Sequence, residues 1–254
     1  MLHARAFAKC LRRVSTGRAE MQADIFPSRV LKIRNSPVYR ASPALFQLPG
    51  LLSRPFHDPS EFGWAQRLQD STDKILEECF KLKNTKASDY VVGETEHTLH
   101  SDGKWEWHSF IMKGDKQDSF KRTCPVTTKL LESIEGLQEG VPFAYSFFST
   151  LKPGSTIAAH FGPTNLRLRC HLPLIVPDDC GIIVAGEKRK WEKGKLLIFD
   201  DSFEHEVFHN GEGDRIILLF DIWHPEIDVA EREAIIEMFD LAKKNGWISG
   251  HRES

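Results

Sequence analysis

From residue 142 onward the chain breaks into short runs of alternating apolar and polar positions separated by turn residues. Strands are expected near 143–151, 156–159, 166–176, 181–185, 194–199, 206–209 and 215–222. The breakers between them are Pro153-Gly154, Gly162-Pro163, Pro177-Asp-Asp, Gly186, Gly194 and Gly211-Glu-Gly213. Many short strands at close spacing predict an antiparallel barrel or jelly roll. In one strand the alternation carries chemistry. Arg167, Arg169 and His171 alternate with Leu168, Cys170 and Leu172, and alternate residues of a strand share a face. A strand that is apolar outward and cationic inward implies an anion pocket inside a sheet.

The flanks have a different period. Asp58-Pro59-Ser60-Glu61 has the form of a helix start, with an acceptor at the N-cap, proline at N1 and glutamate at N3. Trp64, Leu68, Ile75, Cys79 and Leu82 follow at helical spacing, which predicts one amphipathic helix to about residue 82 covering a sheet face. Tyr90-Val-Val and Trp105–Met112 are expected to be strands, with Trp105, Trp107 and Ser109 on one face and Glu106, His108 and Phe110 on the other. Pro125 opens a short helix through Ile134. Asp228 and Glu231 form a capping pair for a last helix carrying Ile235, Ile236, Phe239 and Ala242 and ending in Lys243-Lys244-Asn245-Gly246. The fold expected is mostly β, a jelly-roll core flanked by N- and C-terminal α-helices, with no internal repeat.

Composition narrows the class. The 254 residues lean to one domain, and 41% hydrophobic with 28% charged residues describes an ordinary globular protein. A net charge of -2 argues against nucleic acid or a membrane surface as main partner. No apolar run approaches the roughly 20 residues of a spanning helix. The five cysteines are scattered without CxxC pairs and are expected to be reduced thiols. Residues 1–45 form a basic extension: Arg5, Lys9, Arg12, Arg13 and Arg18 precede the first acid, Glu20. That composition resembles a mitochondrial transit peptide and lacks the apolar stretch of a secretory signal; a disordered basic tail is the alternative. The expected location is the cytoplasm or mitochondria, not secretion. The domain is expected over 46–246, with Leu48-Pro-Gly-Leu-Leu docking on its edge. Nothing in the pattern sets an oligomeric state.

A second polar island, Phe199-Asp-Asp-Ser-Phe-Glu-His205-Glu-Val-Phe-His209, directly follows an apolar strand. His160 and His205 each sit at a strand–turn boundary, and a jelly roll can bring such positions to one mouth. Two neutral imidazoles would form half a shell for a divalent first-row metal; the alternative is a pair of surface or hydrogen-bonded histidines. Arg215 opens the otherwise apolar strand Arg215–Trp223 and is costly to bury without an anion. It either pairs with Asp200, Asp201 or Asp214 or clamps a carboxylate ligand with its planar fork. Ser149 would add a hydroxyl donor. An anionic co-substrate against a metal inside a β-barrel is the arrangement of 2-oxoglutarate oxygenases, whose usual ligand set is His-x-Asp/Glu plus a distant His. Here His160-Phe-Gly162 lacks the acid.

Several longer stretches carry a family resemblance. His160-Phe-Gly-Pro-Thr-Asn-Leu-Arg-Leu-Arg-Cys-His171-Leu, Phe199-Asp-Asp-Ser-Phe-Glu-His205-Glu-Val, Asp221-Ile-Trp-His-Pro-Glu226, Phe148-Ser-Thr-Leu-Lys-Pro-Gly-Ser155 and the Trp191…Gly194-Lys195 spacing resemble the catalytic domain of the aspartyl/asparaginyl β-hydroxylase family. The likeness is dense over 143–226 and thinner over 58–142. It implies a double-stranded β-helix binding Fe(II) through two histidines and no protein carboxylate, matched here by His160 and His205, with Gly162 at the missing acid. It implies that Ser149 and Arg215 hold the distal carboxylate of 2-oxoglutarate and that His171 and Arg169 lie at its chelating end and near the acidic substrate side chain. Arg167 is matched to a substrate contact. The expected reaction consumes O2 and 2-oxoglutarate, releases succinate and CO2 and hydroxylates an aspartyl or asparaginyl side chain of a peptide or protein, with ascorbate supportive. The same chemistry on a lipid acyl chain or small acid, and a non-catalytic binding protein, are the alternatives.

Overall fold

The computed structural model describes residues 39–89, 99–100 and 105–246. The basic extension up to residue 38 and the strand expected at Tyr90-Val-Val lie outside the described residues. Among these residues twelve strands form two antiparallel sheets. They are β1 (Phe56–His57), β2 (Leu99–His100), β3 (Trp105–Met112), β4 (Asp115–Lys116), β5 (Ser146–Leu151), β6 (Thr156–His160), β7 (Arg167–Ile175), β8 (Cys180–Val184), β9 (Glu187–Lys190), β10 (Leu197–Phe199), β11 (His205–His209) and β12 (Arg215–Trp223). The seven-stranded sheet has the order β1-β10-β7-β12-β5-β3-β4, and the five-stranded sheet β2-β6-β11-β8-β9.

From β5 to β12 the chain alternates between sheets, crossing back only after the β8–β9 hairpin, so that β10-β7-β12-β5 faces β6-β11-β8-β9. That winding is a double-stranded β-helix, the jelly roll expected. The hairpin turn takes left-handed backbone at Ala185 (φ 50°) and Gly186 (φ 76°), the two-residue turn whose twist matches that of paired strands. Strand β9 carries no apolar period and was not expected. It is an edge strand, Glu-Lys-Arg-Lys, held by pairing with β8 and by Arg189 and Lys188 lying over the rings of Phe56 and Phe208. Charge on an edge discourages further pairing.

The helices are α1 (Ala65–Asp70), α2 (Thr72–Thr85), α3 (Asp118–Thr123), α4 (Pro125–Glu132) and α5 (Val229–Lys244). The single helix expected from 58 to 82 is thus divided. Asp58 accepts from the Ser60 amide over a short 3-10 turn, and Glu61 pairs with Arg54 instead of closing a capping box. At Ser71 the ladder breaks because the Ser71 and Thr72 hydroxyls bond back to the carbonyls of Arg67 (2.9 Å) and Gln69 (2.6 Å). At α5 the expected capping box is present, Asp228 accepting from the Glu231 amide and Glu231 from that of Asp228. A register shift between Ser109 and Ile111 puts both Phe110 and Ile111 in the core, ending the simple alternation of β3.

The main core lies between these helices and one face of the larger sheet, where Leu168, Cys170 and Leu172 of β7 pack with Ile75, Cys79 and Leu82 of α2. A second cluster, including Leu151, Ile182, Trp191 and Phe199, fills the space between the sheets. Leu48 is buried, and its amide and carbonyl bond reciprocally to the Asn165 side chain at 2.8 Å, docking the arm as expected. The four described cysteines are free and buried. Because the helices take the apolar face of β7, its other face is left to point between the sheets.

Candidate active site

Ser149, His160, Arg169, His171, His205 and Arg215 all line one cavity between the two sheets. Sheet pairing alone brings several together. His205 is the register partner of His160 across β11 and β6, and their rings stand 4.1 Å apart between centroids. Each Nδ1 is 2.7–2.9 Å from the carbonyl two residues before it, Ala158 and Phe203 respectively. A carbonyl can only accept, so both Nδ1 atoms carry the proton and each Nε2 keeps its lone pair. Burial lowers both pKa values. For His205 the value falls to about 3, with the neighbouring His160 adding to the effect. Two neutral imidazoles side by side, each with its second nitrogen anchored, are a donor set fitted to a first-row divalent metal.

Among the described residues no group of three or more His, Cys, Asp or Glu side chains is disposed to hold a metal. The reason at position 162 is steric. A Cβ on Gly162 would lie 2.6 Å from the Asp201 carboxyl carbon and 2.8 Å from its carbonyl oxygen. Asp201 fills the place a side chain there would take, and its carbonyl accepts from the Gly162 amide at 2.6 Å.

Arg215 lines the same cavity and is 2% exposed. Among the described residues it makes no ion pair, and its Nε has no partner. The candidate counter-ions are taken: Asp214 by Lys152 and Lys83, Asp201 by Arg167 and Arg169, and Asp200 by the Ser202 hydroxyl and amide. Burial lowers the guanidinium to about 10. Its Nη2 donates to Ser149 Oγ at 3.2 Å, which also accepts from Trp105 Nε1 at 2.8 Å. With both lone pairs used, the serine hydrogen is left to donate. The Trp191 ring lies under the guanidinium at 5.1 Å, and its Nε1–H donates to His171 Nδ1 at 3.3 Å. His171 Nε2 is buried without a partner among the described residues, and burial and Arg215 hold the ring neutral.

Arg167 and Arg169 are placed differently from Arg215. Arg169 donates from Nε and Nη2 to the two Asp221 oxygens at 2.9 and 3.1 Å, directly across the strand pair β7–β12. Its pKa is raised: burial would lower it, but the Asp221 and Asp201 carboxylates outweigh that. Arg167 donates to Asp201 at 2.5–3.2 Å, to Asp221 at 3.1 Å and to the Phe143 carbonyl. Asp201 is held well below the usual carboxylate range by Arg167 and Arg169 despite its burial. Arg169 borders both the cavity and an adjoining groove lined by Trp107, Phe143 and Tyr145, whereas Arg167 reaches only the groove. Asp221, Trp105 and Trp191 were not singled out from sequence for these contacts. The signal for Asp221 was a carboxylate amid the apolar run of β12; the indoles gave none. A larger cleft between Trp64, Trp223 and Arg232 contains none of these groups.

A profile of the family described as aspartyl/asparaginyl beta-hydroxylase matches residues 69–225. Aspartate beta-hydroxylase domain-containing protein 2 of Mus musculus is 40% identical over 140 residues, 54% of this chain and 41% of that protein. Aspartyl/asparaginyl beta-hydroxylase of Homo sapiens is 34% identical over 200 residues, 76% of this chain and 26% of that protein. This chain therefore matches about two fifths or less of the length of these relatives. An oxidoreductase of the 2OG-Fe(II) oxygenase family from Burkholderia pseudomallei aligns with 71% of this chain and 96% of its own at 12% identity and a TM-score of 0.43, a likeness too slight to carry an inference.

Proposed function

The chain belongs to the aspartyl/asparaginyl β-hydroxylase family, and from that premise we propose that it is an Fe(II)- and 2-oxoglutarate-dependent hydroxylase of an acidic side chain in a peptide or protein. The observation that carries the reading is Arg215: a buried guanidinium without a described counter-ion, in the same cavity as two imidazoles with free Nε2 atoms. A buried lone cation is costly unless an anion completes it. His160 and His205 would hold the metal. Arg215 and the Ser149 hydroxyl would receive the distal carboxylate of 2-oxoglutarate, and His171 Nε2–H an oxygen of its other end. When bound, Fe(II) with 2-oxoglutarate and O2 supplies insertion of one oxygen atom into a substrate C–H bond, the other going to succinate as CO2 leaves.

The chain's own part is orientation, neutral ligands and a cavity with an apolar wall. Phe199 stands edge-on to both His171 and His205, at 5.0 and 5.6 Å, and limits water there. Charge balance supports an acidic substrate. Arg167 and Arg169 are cancelled by Asp201 and Asp221, and a divalent metal would cancel the dianionic co-substrate. Arg215 then leaves one positive charge, which favours aspartyl over asparaginyl. Arg169, bordering both cavity and groove, is the residue nearest such a side chain; Arg167 supports it through the shared carboxylates.

With Fe(II), 2-oxoglutarate and ascorbate, the purified protein should form succinate slowly without substrate, and His160→Ala and His205→Ala should each abolish it. Undiminished turnover in both variants would remove the metal assignment. A peptide and metabolite screen read by the gain of one oxygen mass would then identify the substrate, and an acyl chain emerging from it would overturn the acidic side chain.

A further inference from the structure

We propose that Trp191 is a positioning residue of this cavity, its indole N–H fixing His171 in the tautomer that offers Nε2–H to the anionic ligand. The inference rests on the reading of 2-oxoglutarate as that ligand. Trp191 follows β9, is 4% exposed, and touches both proposed anion donors with different parts of one ring. Its face lies under Arg215, and its N–H points at His171 Nδ1. An indole N–H can only donate, so Nδ1 must present a lone pair and the imidazole proton sits on Nε2.

The consequence falls on the unpartnered atom. His171 Nε2 is buried and bonded to nothing among the described residues, a cost the fold carries unless a ligand oxygen accepts from it. In the opposite tautomer a bare nitrogen would face the carboxylate, and lone pair would meet lone pair. Phenylalanine, although smaller, would keep an aromatic ring against Arg215. What phenylalanine lacks is the N–H.

Trp191→Phe in the full chain separates the two roles. An imidazole 1H–15N spectrum distinguishes the histidine tautomers without any ligand, and the wild type should show His171 with Nε2–H alone. The variant should show a mixture or the Nδ1–H form. In the Zn(II)-loaded chain, calorimetric titration with 2-oxoglutarate should give a Kd raised about tenfold by the substitution. An unchanged tautomer in the variant, or a changed tautomer with unaltered Kd, would overturn the proposal. Should the variant fail to fold, an Nδ1–H form at His171 in the wild type would overturn it equally. Wild-type protein that binds no 2-oxoglutarate sinks the co-substrate reading and the proposal with it, and needs no variant to be recognised.

Discussion

At the scale of single residues, burying Arg215 without a counter-ion among the described residues costs stability, which the proposed anion would recover. No described carboxylate depends on it, so removing its charge strands no charged partner, and Ser149 keeps its bond from Trp105. Arg215→Leu should leave the ligand-free melting temperature equal or higher while weakening 2-oxoglutarate binding by about a hundredfold, the loss expected for a charge-assisted buried pair. A melting temperature several degrees lower would mean that the arginine is structural. Gly162 presents the opposite case. Its missing Cβ is demanded by Asp201, so Gly162→Asp should not restore a third metal ligand. It should instead cost about 1–3 kcal/mol through overpacking, measured by urea unfolding. The histidines and Arg215 were legible from sequence because polar and charged residues stood out beside apolar strands, whereas Ser149 was marked by the family resemblance. The commitment of Arg167 was not, because it depends on Asp201 and Asp221, distant in sequence.

At the scale of elements, the centre of the larger sheet is cross-linked by charge as well as by backbone. Arg169 of β7 faces Asp221 of β12, and Arg167 bridges Asp221 to Asp201 on the turn before β11. Asp221→Ala would leave one buried and one part-buried guanidinium with one carboxylate between them and should cost about 3–5 kcal/mol in chemical denaturation. A loss below about 1 kcal/mol would show that the guanidiniums find water instead. Helix starts offer a graded comparison. Asp228→Ala removes a reciprocal capping box and should cost about 1 kcal/mol. Asp58→Ala, at a short 3-10 turn, should cost less by the same measurement. The strands of the jelly roll were legible to within a few residues from their alternation. Strand β9 and the break at Ser71 were not, since an edge strand needs no apolar period and two hydroxyls suffice to divert a helix ladder.

At the scale of the whole molecule, neutral buried histidines make the fold sensitive to acid. Burial lowers His57 to about 4 and His205 to about 3, and lowers His108, His160 and His171 as well. A base with a depressed pKa in the folded state takes up its proton on unfolding, so its contribution is intact above about pH 6.5 and lost below it. Asp200, raised to about 6 by burial, works in the opposite sense as the pH rises towards 6, one group against five. Calorimetry of the ligand-free chain should therefore give a melting temperature falling steadily from pH 7 to pH 5. A flat profile would mean that these rings are hydrated. The sequence by itself determined the jelly roll and the helical flanks and marked His160, His205 and Arg215 as polar residues beside apolar strands, because periodicity and misplaced polarity are local signals. Tertiary structure alone decided which cation is left without a counter-ion among the described residues. Arg167, Arg169 and Arg215 are alike as residue types, and only their distances to Asp201 and Asp221 in the folded sheets separate two ion-paired guanidiniums from one with no described counter-ion.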